Sequence, residues 1–287
     1  MADAVESIPC YGKINLFLEV QERRSDGFHN LGSLFHTVAC CDRLEASRWY
    51  RLELDCPDGI TPDRGQNLVF KAARLFLDSF RDRLPADAGV RFRLEKHLPS
   101  GAGLGGGSSD AAAALVLCNR IWGLGLGLAE LLPLAARLGS DVPFFLYGGS
   151  CFAEGRGEVL SPAPTPYPFH IVIGTPHCAV ETGWAYGQLP PGRKSEWSKF
   201  KPLYITYHEE WKFYHVLRND FHHPMQASFA PIRDLTALMS GFSPVKTLLS
   251  GSGASVFALF TQKTQAESCL EAIRGSCRYA CLTAFTE

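Results

Sequence analysis

The chain has 287 residues, of which 46% are hydrophobic and 20% are charged, and its formal net charge is −1. This balance is typical of a globular protein with ample apolar material for a core, and the length suits one large domain or two ordinary ones. A nearly neutral chain does not attract nucleic acid or an anionic membrane surface by its overall charge. We therefore expect neither partner, and any anion-binding site must be local.

The ten cysteines predict free thiols rather than disulfides or a metal site. No CxxC pair occurs, and no Cys/His spacing resembles a zinc site. The first twenty residues carry acidic side chains where a secretory signal would carry basic ones. No apolar segment is long and regular enough to predict a transmembrane helix. We expect a cytoplasmic protein with reduced cysteines.

Apolar periodicity predicts the elements: alternation and β-branched runs favour strands, whereas apolar residues three and four apart favour helices. In chain order we predict strands over 13–20 and 33–56, a helix over 67–84, a strand over 90–98 and a buried helix over 108–124. Two short helices over 128–140 and 141–149 follow, and then a proline-rich extended connector over 161–170. A strand over 170–176, a helix beginning at 182 and a strand–turn–strand over 245–262 come next, whereas 193–213 shows no clear period.

Five glycines between positions 101 and 107 immediately precede the buried helix. Ordering glycine costs roughly 0.5–1 kcal/mol relative to alanine at each position, so the loop needs a compensating role. Gly101, Gly103 and Gly106 formally match G-x-G-x-x-G. The strand before them is half charged, however, and the segment after the helix is again helical, which disfavours a dinucleotide site.

The same loop favours phosphate binding of another kind. No Gly-Lys-Ser/Thr closes it, so it is not a Walker-type P-loop. Backbone amides that turn inward, with a helix N-terminus behind them, bind phosphate without that lysine. Ser108 and Ser109 would add hydroxyl donors or help to hold Mg²⁺. The competing interpretation is a tight turn capped by a serine, which needs far fewer glycines.

Three segments together resemble a known family. LPSGAGLGGGSSDAAAAL at 98–115 resembles the central motif of the GHMP kinases (galactokinase, homoserine kinase, mevalonate kinase and phosphomevalonate kinase). YGKINLFLEV at 11–20 and LLSGSGASVFALF at 248–260 resemble the first and last motifs of that family. The resemblance implies an α+β (α/β two-layer) fold, with a ribosomal-S5-like domain over 1–160 and a ferredoxin-like domain over 161–287. It also implies phosphoryl transfer from ATP with Mg²⁺, in a cleft between the domains.

A fourth segment bears on the acceptor. RSDGFHNLGSLFHTV at 24–38 resembles the members of the family that act on a cytidine-diphosphate-linked methylerythritol in the non-mevalonate route to isoprenoid precursors. The alternatives are a GHMP kinase for homoserine or mevalonate, which would have no base for Phe28 and His29 to hold, and a non-catalytic binding module built on the S5-like half. A turnover assay with each acceptor discriminates among these hypotheses.

The resemblance also implies roles for individual residues. Lys13 and Asp141 correspond to the catalytic cation and base, although a lysine at a strand end is commonly solvated and an aspartate before a proline is commonly a helix cap. The predicted ATP-binding residues are Pro99, Ser100, Gly101, Ala102, Gly103, Leu104, Gly105, Gly106, Gly107, Ser108, Ser109, Asn67, Lys96 and Asp110. The predicted substrate-binding residues are Asn15, Phe28, His29, Thr182, Tyr186, Gly251 and Ser252.

Several points stay open from the residues alone. Asn15 shares a strand face with Lys13, which favours a substrate contact. Trp184 competes with Tyr186 for stacking on a base, and core packing is an alternative for either ring. Taken alone, Lys96 is interpreted as a residue on the solvent-exposed face of a strand. The turn at 250–253 is equally compatible with a plain hairpin. The sequence makes no prediction about metal ligands, oligomeric state or the role of 190–214.

Overall fold

A computed structural model describes residues 5–57, 59, 64–189 and 195–286. The chain forms two compact units, and each is discontinuous in sequence. The first unit comprises Met1–Gly12, Cys41–Ser100 and Gly105–Tyr147. The second unit comprises Lys13–Cys40, Gly101–Leu104 and Gly148–Glu287. The predicted domain boundary between residues 160 and 161 stays a prediction.

Two long strands supply residues to both units. β1 (Glu6–Arg23) and β2 (His29–Trp49) are much longer than the strand predicted over 13–20 and begin earlier than the one predicted at 33. Polar residues at their ends hide the pattern, because only the middle of each strand is buried on both faces. A short β3 (Glu53–Asp55) follows, so the predicted strand over 33–56 is interrupted after Trp49.

The first unit is a small sheet covered by helices. Its elements are α1 (Leu68–Ser79), β4 (Gly89–Glu95), α2 (Gly106–Trp122), α3 (Leu128–Leu138) and α4 (Val142–Tyr147). The second half of β2 pairs antiparallel with β4, and β3 pairs parallel with β4. α2 is buried on nearly all sides, as predicted, because its alanines let α1 and α4 pack close to it.

Two helix ends in this unit have clear local causes. α2 ends at Gly123, which adopts the left-handed conformation (φ 63°) expected of a terminating glycine. α1 ends at Ser79, five residues before the predicted end. Phe80 leaves the helical conformation (φ −119°, ψ 25°), and a 3-10 turn at Arg81–Arg83 follows. Pro85 accounts for the end of that 3-10 turn, because its ring disfavours the helical conformation in Leu84 before it.

The second unit contains two sets of paired strands. β2 pairs antiparallel with β5 (Ser150–Glu154), which pairs antiparallel with β6 (Val159–Pro162). The other sheet has the order β10-β7-β9-β8 and is antiparallel throughout. Its strands are β7 (His170–Pro176), β8 (Lys246–Leu249), β9 (Val256–Phe260) and β10 (Cys277–Thr283). The proline-rich segment between β6 and β7 is extended, as predicted.

Five helices complete the second unit: α5 (Thr182–Gly187), α6 (Trp197–Tyr207), α7 (His222–Ser228), α8 (Ala230–Ser240) and α9 (Lys263–Ile273). The sequence predicted no regular element over 193–213, and α6 corrects that prediction. Residues 190–194 lie outside the described residues. Trp197, Phe200 and Tyr204 are buried at helical spacing. Half-exposed apolar side chains elsewhere on α6 obscure that spacing in the sequence. Among the described residues no helix is long and apolar enough to cross a membrane.

α6 lies against a strand residue that must be glycine. A Cβ at Gly32 would lie 2.5 Å from Cγ of Trp197, and the Phe200 ring stacks on Phe17 with centroids 4.0 Å apart. We expect Gly32→Ala to lower the free energy of unfolding by about 1–3 kcal/mol through overpacking, measured by urea denaturation. Gly275→Ala is the control, because no atom lies within 4 Å of its new Cβ. Equal stability of the two variants would contradict this packing.

Candidate active site

The N-terminus of α2 presents the backbone that the glycine-rich sequence predicts. Gly105 precedes the helix in the left-handed conformation (φ 71°), and the helix starts at Gly106. The amides in the first turn of any α-helix have no acceptor within the helix, and the helix dipole makes that end favourable for anions. Ser108 is partly exposed there, whereas Ser109 is buried. Of the two predicted serines, Ser108 is therefore the better placed to donate to a ligand.

A buried ion cluster lies beside this helix start. The Lys96 ammonium donates to Asp110 (2.8 Å) and to Asp42, and the three side chains are 9% exposed or less. Asp42 Oδ1 also accepts from the backbone amides of His97 (2.6 Å) and Leu98 (2.7 Å). The cluster thus connects β2, the segment entering the glycine loop and the first turns of α2. The interpretation of Lys96 as a solvated strand residue is wrong.

Burial and charge compete in this cluster. Burial raises the pKa of the Asp110 carboxyl to about 6, because the nearby Lys96 ammonium only partly offsets its desolvation and Asp42 adds like charge. Desolvation lowers the pKa of Lys96, but the two carboxylates outweigh it and leave the pKa above its usual value. Lys96 is therefore a fixed cation at neutral pH.

Asp42 is a member of the site region that the sequence analysis missed. Its sequence context offers no distinctive signal, because Arg43 and Glu45 follow it in the same strand, and the structure shows the Asp42 side chain fully buried. Asn67, predicted to contact ATP, caps α1: its Oδ1 accepts from the Val69 amide (2.9 Å) and the side chain is 4% exposed. Asp141 lies immediately before α4 and is partly exposed.

In the second unit, Lys13 and Asn15 project from the same face of β1, as the strand period predicts. The Lys13 ammonium donates to Asn15 Oδ1 (2.7 Å) and lies over the Phe35 ring, 5.1 Å from its centroid. The same oxygen accepts from the Gly251 amide (2.9 Å). Lys13 is 4% exposed, so the hypothesis of a solvated strand end is wrong. The structure thus brings Lys13, Asn15 and Gly251 together.

The glycine loop and the 250–253 turn approach closely within the second unit. A Cβ at Gly103, whose φ is +81°, would lie 2.1 Å from the carbonyl oxygen of Ser250. The Ser250 hydroxyl donates to the Gly103 carbonyl (2.9 Å), and the Ser255 amide donates to the Ala102 carbonyl (3.1 Å). The turn joins the antiparallel strands β8 and β9 as a hairpin, and hydrogen bonds also join it to the glycine loop.

The predicted base-binding rings are also in the second unit. His29 stacks on Tyr186 with centroids 5.1 Å apart and planes at 15°. Trp184 instead packs edge-on against Phe229 and is 41% exposed. Of the two candidate rings, Tyr186 is therefore the one that contacts His29. Phe28 is 52% exposed and carries the Arg156 guanidinium over its ring at 4.9 Å.

The remaining predicted substrate residues form one hydrogen-bonded pair: the hydroxyls of Thr182 and Ser252 lie 3.2 Å apart. Lys13 belongs to the second unit and Asp141 to the first. Within the described part of the chain, no group of three or more His, Cys, Asp or Glu side chains could hold a metal ion. A protein-held metal centre among those side chains is therefore not a feature of the described residues.

Comparisons with known proteins show the family to which the chain belongs. The model of the GHMP kinases N terminal domain matches residues 67–149. A 4-diphosphocytidyl-2-C-methyl-D-erythritol kinase from Ralstonia nicotianae is 37% identical, over 97% of this chain and 93% of its own. A kinase of the same name from Synechocystis sp. is 35% identical, over 90% of this chain and 88% of its own.

A solved structure confirms the fold. The crystal structure of 4-(cytidine 5'-diphospho)-2C-methyl-D-erythritol kinase matches with a TM-score of 0.81 and 32% identity, covering 98% of this chain and 100% of that chain. The predicted α+β GHMP kinase fold is confirmed by this match and by the mixed sheets and helices described above.

The ion cluster yields a stability test. Lys96→Met would leave two carboxylates buried without their cation, so we expect the free energy of unfolding to fall by about 3–5 kcal/mol. Urea denaturation measures this loss, and Asp110→Asn added to Lys96→Met should recover part of it. Lys71→Met, at an exposed lysine of α1, is the control. A Lys96→Met protein as stable as the control would show that the cluster does not hold the region together.

Proposed function

The chain belongs to the family of 4-diphosphocytidyl-2-C-methyl-D-erythritol kinases, and we propose that it transfers the γ-phosphoryl group of ATP to the 2-hydroxyl of that substrate. The observation that carries this proposal is the identity of 37% with a relative of that name, over nearly the whole of both chains. The same reaction would place the protein in the non-mevalonate route to isoprenoid precursors.

The glycine-rich start of α2 supports ATP as the phosphoryl donor. In this proposal the backbone from Pro99 to Ser109 surrounds the phosphates, and the first-turn amides donate to their oxygens. Phosphoryl transfer asks a protein mainly for positioning and charge stabilisation, which a cradle of amides supplies. Asn67, Lys96 and Asp110 would act around the adenosine end. Asn67 caps α1 and Lys96 binds two carboxylates, so both residues also shape this region.

Lys13 and Asp141 are the proposed catalytic residues. Asp141 would accept the proton of the acceptor hydroxyl as its oxygen bonds to the γ-phosphorus, while the bond to the ADP oxygen breaks. Lys13 would stabilise the negative charge on the transferring group. Its ammonium is held by Asn15 and is almost inaccessible to bulk water, which strengthens such an interaction.

The aromatic residues support a cytidine-containing acceptor. Homoserine and mevalonate have no ring for stacking. In this protein His29 stacks on Tyr186, and the exposed Phe28 ring has the Arg156 guanidinium over it. In the proposal, His29 hydrogen-bonds the edge of the base while Phe28 and Tyr186 contact its faces. Asn15, Thr182, Gly251 and Ser252 would contact the rest of the substrate.

Mg²⁺ is proposed to arrive with the nucleotide. It prefers phosphate and water oxygens with only one or two protein carboxylates, and the described residues offer no larger ligand group. The Ser108 hydroxyl is suitable as a further oxygen donor. The ten cysteines are free thiols, which supports a reducing compartment such as the cytosol as the place of action.

Turnover with purified protein tests the proposal. We expect ATP-dependent phosphorylation of 4-diphosphocytidyl-2-C-methyl-D-erythritol and none of homoserine or mevalonate. Asp141→Asn should lower kcat by roughly 10²–10⁴-fold, as expected for loss of a general base, while calorimetry shows ATP binding largely retained. Asp78→Asn, at an exposed aspartate of α1, is the matched control. Phosphorylation of homoserine or mevalonate alone would refute the substrate, and Asp141→Asn with full activity would refute the base.

A further inference from the structure

Asn219 is a buried amide whose two donor hydrogens bond to backbone carbonyls at and beside the 250–253 turn. It is 4% exposed and lies between the 3-10 turn at Trp211–Val216 and α7. Its Nδ2 group donates to the carbonyls of Leu249 (2.7 Å) and Gly251 (2.8 Å). Its Oδ1 accepts from the Phe221 amide (2.9 Å). Both donor hydrogens are thus committed to the turn.

His222, three residues after Asn219, bonds to the backbone of Leu249, the residue that enters the turn. Its Nδ1 accepts from the Leu249 amide (3.1 Å), so the Leu249 residue is held at its N–H by His222 and at its carbonyl by Asn219. Burial lowers the pKa of His222 to about 4, which leaves the imidazole neutral at physiological pH. A neutral ring keeps the lone pair that Nδ1 needs as an acceptor.

The turn held in this way touches Lys13. The Gly251 amide donates to Asn15 Oδ1, and the Lys13 ammonium donates to the same oxygen. A Cβ at Gly251 would lie 3.6 Å from Lys13 Nζ. Asn219 is therefore separated from Lys13 by one residue of the turn and one side-chain amide, and all of these groups belong to the second unit.

We propose that Asn219, assisted by His222, is a positioning residue that orients the Lys13 ammonium through the Gly251 backbone and Asn15. Loss of the Asn219 bonds lets the turn move away, so Asn15 Oδ1 loses the Gly251 donor and holds the Lys13 ammonium less firmly. The relevance to turnover rests on the proposed function, whereas the orientation of Lys13 does not.

The proposal is tested with Asn219→Asp and Asn219→Ala. The aspartate keeps the acceptor for the Phe221 amide but places a carboxylate oxygen against two carbonyls; the alanine removes the contacts. Each net hydrogen bond contributes about 0.5–1.5 kcal/mol, so we expect kcat to fall roughly tenfold while KM for ATP changes little. Thr247→Val is the matched control, since the Thr247 hydroxyl has no hydrogen-bond partner among the described residues.

A second measurement does not depend on kinase activity. The acylation rate of Lys13, followed by peptide mass spectrometry and referred to the exposed Lys263, reports how well Lys13 is held. We expect this ratio to rise roughly tenfold in both Asn219 variants and to stay constant in Thr247→Val. Unchanged Lys13 acylation in folded Asn219 variants would overturn the proposal even if kcat fell. If the acylation ratio rises while no acceptor is phosphorylated by the unaltered protein, the proposed function fails and the positioning role stands.

If the Asn219 variants do not fold, amide hydrogen exchange in the unaltered protein tests the proposal instead. The Gly251 amide should exchange far more slowly than in an unstructured peptide, because it donates to Asn15 within a turn held at both carbonyls. Exchange of that amide at the rate of an unstructured peptide would overturn the proposal without any substitution.

Discussion

The carbonyl oxygen of Ser250 lies where a side chain at residue 103 would begin. This close approach accounts for a glycine in the middle of the loop, since any other residue would displace the turn on which Lys13 and Asn15 depend. The loop carbonyl at residue 103 also receives the Ser250 hydroxyl. Two glycine-rich segments, far apart in sequence, are therefore adjacent for a steric reason as well as a chemical one.

The two buried lysines near the glycine loop, Lys13 and Lys96, have different neighbours. The Lys13 ammonium donates to an amide oxygen and lies over an aromatic ring. The Lys96 ammonium lies between two carboxylates and joins chain segments.

Much of the architecture could be predicted, because apolar periodicity within each segment determines whether it forms a strand or a helix. The alternation in β4, the apolar spacing of α1 and the alanine run of α2 each give the correct element, and the left-handed Gly123 ends α2 where expected. The same strand period placed Asn15 beside Lys13. The end of α1 was predicted too late, because the apolar spacing continues to Phe80 although the helix ends at Ser79. α6 was missed because apolar side chains lie on more than one of its sides.

The groups that hold the site were less accessible to sequence reasoning. Asp42 binds amides at 97 and 98, and Asn219 binds carbonyls at 249 and 251. Such bonds join residues whose proximity follows only from how strands pair, so composition and spacing give no sign of them. The family resemblance indicated which residues would act, whereas the structure shows which residues support them.

The order in which the second unit is synthesised has a consequence for the cell. Its strand residues from Lys13 onward leave the ribosome first, yet Phe17 packs against Trp197 and Phe200, which are made much later. Nascent chains that stop short of α6 therefore display an apolar strand without its cover, a state prone to aggregation.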